Sequence, residues 1–182
     1  MKRREFLKKA GAGSAALASF PFLAGVAQAH EDDDDGGRTR FYFVALSGVT
    51  PTLTGGDSIA MSGFGRFWPD VEGGGEFVHF DGTQIPSPNL IATGRWKATH
   101  LISFTETGTW GQFVSGVLTV GAKLIPVGGA RIRDATLEIV CNLAPAGIST
   151  GGVEGYTLTL PDGTTFSAFS PNIGLTLFTR RP

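Results

Sequence analysis

From residue 36 onward the chain alternates apolar and polar positions in short runs, and nowhere does helical spacing of apolar residues persist through three turns. The runs cover residues 39–46 (TRFYFVAL), 57–67, 76–80, 95–107, 112–125, 131–143, 155–160, 164–170 and 173–179, which predicts about nine strands of unequal length. Between them stand turn-forming clusters: Gly55-Gly56, Gly73-Gly74-Gly75, Pro86-Ser87-Pro88-Asn89, Gly128-Gly129 and Gly151-Gly152. The clearest hairpin is 156–160 (YTLTL), then Pro161-Asp162-Gly163, then 164–167. There proline sets φ, aspartate accepts local backbone hydrogen bonds, and glycine supplies the positive φ that closes the turn. Many short strands at this spacing predict an all-β domain, a single antiparallel barrel with a β-sandwich as the alternative.

Strand parity assigns faces. In the long run 95–107, Trp96, Ala98, His100, Ile102 and Phe104 share one side and are expected to form the core face; Lys97, Thr99, Leu101 and Ser103 share the other. His100 would then sit among apolar neighbours and need a hydrogen-bond partner. In 131–143 the inward set is Ala135, Leu137, Ile139 and Cys141, so the single cysteine reads as a small buried hydrophobe.

Composition narrows the class. The chain has 182 residues, of which 41% are hydrophobic and 17% charged, with 27 Gly and one Cys, which excludes disorder, a coiled coil, a disulfide scaffold and a zinc ribbon. Charge is uneven. The formal net charge is −1, but Glu31-Asp32-Asp33-Asp34-Asp35 form one acidic run. From Gly36 onward ten basic residues balance ten acidic ones. A balanced domain carries no basic footprint for nucleic acid and is a poor partner for anionic membranes.

The N-terminus has its own pattern. Lys2-Arg3-Arg4-Glu5-Phe6-Leu7-Lys8-Lys9 precedes a mildly apolar, Ala- and Gly-rich stretch ending in Ala27-Gln28-Ala29. A basic start, a short apolar middle and a small-x-small close are the parts of a secretory signal peptide. Arg3 and Arg4, followed by Phe6 and Leu7, resemble the signal read by the twin-arginine (Tat) pathway of bacteria and archaea, although Lys2 stands where serine is often found. The resemblance implies recognition by the Tat translocon, folding before export, and a periplasmic or extracellular location without stable membrane insertion after cleavage. The expected organisation is a signal peptide over 1–29, a flexible acidic leader over 30–37, and an all-β domain over 38–182.

Chemistry-bearing motifs are sparse. Three histidines occur, His30, His79 and His100, and no metalloprotease, P-loop, dinucleotide, serine-elbow or EF-hand motif is present, so no catalytic residue and no cofactor is assigned. The candidate ligand-binding residues are His100 and Trp96 on the expected core face, Trp68 beside the Pro69 loop, and Arg66 two positions before it. Trp68, Trp96 and Trp110 suit either core packing or stacking against a carbohydrate. Cleavage after Ala29 would leave His30 as the N-terminus, where its amine and imidazole, with His79 or His100, could chelate copper. The acidic leader that follows is a poor scaffold for such a site. The leading expectation is a non-enzymatic exported domain that binds a small molecule or carbohydrate or serves a structural role. The alternative is a small barrel enclosing an apolar molecule, in the manner of lipocalin or cyclase barrels, and the copper site at His30 comes third.

Overall fold

The computed structural model describes residues 38–49, 56–82, 89–129, 131–168 and 174–180. The expected signal peptide and leader, with His30, lie outside the described residues. Nine strands follow one another: β1 (Thr39–Val49), β2 (Ser58–Phe67), β3 (Val71–Phe80), β4 (Leu90–Trp110), β5 (Phe113–Pro126), β6 (Arg133–Cys141), β7 (Gly155–Thr159), β8 (Thr165–Ala168) and β9 (Gly174–Arg180). Each matches a run of alternating residues in the sequence. The described residues contain no α-helix, only a short 3-10 turn at Ala144–Ala146.

Every pairing is antiparallel, and the pairings close on themselves. Strands β1 to β8 pair in succession, and β8 returns to β1 through Ser47–Ala168, Gly48–Ser167 and Val49–Phe166. β9 lies between β1 and β5: Arg180 is opposite Thr39, and Thr179 is opposite Phe113. At that end the ring therefore consists of six strands, β1, β2, β3, β4, β5 and β9. Closure removes the free edges that an open sheet would expose to other chains.

Side chains fill the interior. Phe41, Phe43, Met61, Phe67, Trp96, Leu118, Leu137, Ile139, Tyr156, Leu158 and Phe178 are all buried in one cluster. Aromatic rings dominate it: Trp96 lies 5.8 Å from Phe43 and 6.5 Å from Phe41 between centroids, and Tyr156 lies 5.5 Å from Phe43. So many large rings fit because glycines on the neighbouring strands β2 and β3 leave them room. A Cβ on Gly63 would collide with Trp96 and lie 2.6 Å from Phe43; one on Gly73 would lie 2.7 Å from Phe41. Gly73-Gly74-Gly75, expected to be a loop, are therefore the middle of β3 and not a break in it. Small residues opposite large ones are how a small barrel fits its contents to the ring.

The face assignment for β4 needs a correction. Trp96, Ala98 and Phe104 do point inward, but His100 and Ile102 lie exposed on the outside. The cause is a mismatch in pairing length. The seventeen residues 94–110 of β4 pair with the fourteen residues 113–126 of β5, and the three extra residues, Thr99, Ile102 and Thr107, are β-bulges. Each bulge shifts the alternation by one and bends the long strand around the barrel. Leu101 takes the inward place, opposite Val120, while His100 packs over Gly121 with Nδ1 3.0 Å from Thr99 Oγ1.

The hairpin at 160–164 forms as its sequence predicts. Gly163 N–H donates to the Leu160 carbonyl at 3.0 Å, Thr164 N–H donates to Asp162 Oδ1 at 2.9 Å, and Gly163 has φ +86°. Cys141 is a free thiol, fully buried on the inner face.

Candidate functional site

At the six-stranded end the ring opens into a cup of 390 Å³ lined by Thr39, Phe67, Trp68, Phe104, Glu106 and Arg180. Small-ligand sites generally run to roughly 300–1,000 Å³. Four elements and one turn meet here. Thr39 begins β1, Phe67 ends β2, Phe104 and Glu106 lie in the last third of β4, and Arg180 ends β9.

The floor is aromatic. Phe67 and Phe104 meet edge to face at 4.7 Å, and Phe178 lies 5.9 Å from each. Phe104 faces the cup as its parity with Trp96 predicts, because the bulges at Thr99 and Ile102 cancel and only the residues between them exchange faces. Glu106, two residues further and before the third bulge, keeps that face and enters the lining.

The wall opposite is Trp68. It stands in the tight turn between β2 and β3, where its N–H donates to the Asp70 carbonyl at 2.7 Å and the Trp68–Pro69 peptide is cis. Its φ is +87°, making it the one non-glycine residue with positive φ among the described residues. For a bulky side chain that conformation is a genuine outlier. The indole is 59% exposed. Folding gains little from a residue that is at once strained and uncovered, and such residues concentrate at functional sites.

The polar edge is an ion pair. Arg180 Nη2 donates to Glu106 Oε2 at 2.9 Å, and Arg180 Nε donates to Thr39 Oγ1 at 3.1 Å. The two side chains are 37% and 36% exposed, so water and a ligand both reach the pair. The charges cancel, and the cup has donors and acceptors side by side without net charge.

The four residues singled out in the sequence separate. Trp68 lines the cup. Arg66 points elsewhere and is held by Glu72, directly opposite in the β2–β3 register, through Nε at 3.0 Å and Nη2 at 2.9 Å. Trp96 is 2% exposed, and its Nε1 donates to the Ser62 carbonyl at 2.8 Å, so it is part of the packed interior. His100 is on the outer wall. The pairing of Glu106 with Arg180 has no local mark in the sequence; only the insertion of β9 between β1 and β5 brings the two together.

His79, considered above as a second copper ligand, lies near the opposite end, with Nε2 3.0 Å from Asp57 Oδ2. Its ring also meets Phe166 edge to face at 5.6 Å. Among the described residues no three His, Cys, Asp or Glu side chains gather as a metal site would require.

Compared with known proteins, the chain matches no family model, no curated protein and no solved structure.

Proposed function

We propose that this chain is an exported, non-enzymatic binding protein that takes a small molecule in the cup between Trp68 and the Glu106–Arg180 pair. The observation that carries this reading is Trp68, a large exposed indole kept at positive φ beside the half-buried ring of Phe104. Export follows from the Arg3-Arg4 signal and the Ala27-Gln28-Ala29 junction. The packed interior supports binding at the end of the ring over enclosure of an apolar molecule within it. A ring that already holds Trp96, Phe43, Tyr156 and Phe41 has those positions taken.

Two measurements test the reading. Protein recovered outside the cytoplasm should begin at His30, and replacing Arg3 and Arg4 by lysine should abolish its export. Undiminished export of that variant removes the Tat assignment. For binding, the indole N–H signals of the tryptophans are followed by NMR during titration with a small-molecule fragment library. Saturable shifts at Trp68 with Trp96 unmoved support the site, whereas no response at Trp68 to any fragment overturns it.

A further inference from the structure

Resting on the reading of the cup as the binding site, we infer that its ligand class is a neutral saccharide, held with one flat face against Trp68 and its hydroxyls on Glu106 and Arg180.

Charge is the first argument. Arg180 and Glu106 face each other at 2.9 Å and neutralise one another. An anionic ligand at the remaining guanidinium donors would lie beside the Glu106 carboxylate, and a cationic one at that carboxylate would lie beside Arg180; either meets a like charge within a few ångströms. A neutral ligand meets nothing of the kind.

Hydrogen-bond capacity is the second. A guanidinium offers five donors, an ionised carboxylate only acceptors, and a threonine hydroxyl both. Two of the Arg180 donors are used, by Glu106 and Thr39. Donors and acceptors thus alternate along one edge of the cup. The matching ligand group is the hydroxyl, which both donates and accepts, presented several times over along the edge of one ring.

The third is the aromatic surface. Trp68 offers an exposed indole, and the half-buried Phe104, backed by the buried Phe67, adds a second apolar surface. A ligand carrying only hydroxyls would leave these rings unused, and a purely apolar one would strip water from the ion pair without replacing it. A pyranose meets both demands. Its axial C–H groups make a flat apolar face, and its hydroxyls point outward at the edge.

The test is an NMR titration of the full chain with a panel of neutral mono- and disaccharides of gluco-, galacto- and manno-configuration, with sodium acetate and toluene as the charged and apolar comparisons. At least one saccharide should shift the Trp68 indole signal saturably, and acetate and toluene should not. Followed by isothermal titration calorimetry, since the Trp68 variants lack that indole, Trp68→Gly should weaken the binding of the responding saccharide up to about tenfold. Trp68→Phe should retain most of it, and Trp110→Ala, outside the cup, should leave it unchanged. If acetate or toluene saturates Trp68 and no saccharide does, the saccharide inference falls while the cup stands as a binding site. If none of the probes moves Trp68, both fall. Equal weakening by Trp110→Ala would also overturn the assignment to the cup.

Discussion

Arg180 in the last strand donates to Glu106, 74 residues earlier in the chain, at 2.9 Å across the open end of the barrel. This contact joins β9 to β4, two strands that are not neighbours in the sheet, while the same guanidinium bonds Thr39 at the start of β1. Ion pairs as exposed as this one contribute about 0–1 kcal/mol to stability. Glu106→Gln should therefore lower the stability measured by urea unfolding by less than about 1 kcal/mol. Its effect on binding should be larger in kind. With the carboxylate gone, the cup becomes cationic, and acetate, excluded by the native protein, should now shift the Trp68 indole signal.

Trp68 should report its own strain. Glycine accepts positive φ without penalty, and relief of a residue held there is worth about 1–3 kcal/mol. Trp68→Gly should raise the urea midpoint with unchanged m-value while binding at the cup weakens. A variant less stable than the native chain would show that the indole contributes packing which its exposure conceals.

Gly63 should tolerate nothing larger. A Cβ there meets Trp96 and lies 2.6 Å from Phe43, and these two rings are buried with nowhere to retreat. Overpacking of this kind costs about 1–3 kcal/mol. Gly63→Ala should unfold at a correspondingly lower urea concentration, and the Trp96 fluorescence spectrum should change with the displaced ring.

Cys141 should be chemically silent while the protein is folded. Burial, opposed by a hydrogen bond from the Phe178 backbone and aided by the nearby Glu154, pushes its thiol up to about 11. At neutral pH the thiolate that reacts is almost absent, and solvent does not reach the sulfur. A disulfide reagent such as Ellman's should label it only as fast as the chain unfolds. Labelling at the rate of a free thiol would mean that β6 opens at its lower end.

Glu154 sets a pH dependence with a definite sign. Burial raises its carboxyl above the ordinary carboxylate range, against the lowering effect of the Thr176 and Asn142 backbone groups. Thr176 N–H donates to its Oε1 at 3.1 Å. Because the folded protein holds this proton more tightly than the unfolded chain, its contribution is complete in acid and is lost as pH rises through the raised value. The stability of the native chain relative to Glu154→Gln should therefore fall as pH climbs out of the acid range and then level off. A difference that grows with pH would mean that the Thr176 hydrogen bond outweighs burial.

The strands, their number and their approximate limits could be read from the sequence because they depend on neighbours in the chain. Alternation marks 39–46 and 57–67 whatever they pair with, and the Pro161-Asp162-Gly163 turn is determined by its own φ preferences and side-chain hydrogen bonds. The inward face of β6, ending at Cys141, follows for the same reason: that strand pairs residue for residue with β5, and no bulge interrupts its parity. Parity failed in β4 because bulges are set by the partner, and nothing within 95–107 tells that the strand has three residues more than β5 can match. Gly73-Gly74-Gly75 look like a loop in isolation, and only Phe41 and the backbone beside Trp96, arriving from other strands, demand that those positions be bare. Trp68 could be singled out because proline beside tryptophan is a local signal of an exposed turn. Glu106 and Arg180 could not, since the pair exists only once β9 has closed the ring between β1 and β5, and that closure depends on contacts spanning most of the chain.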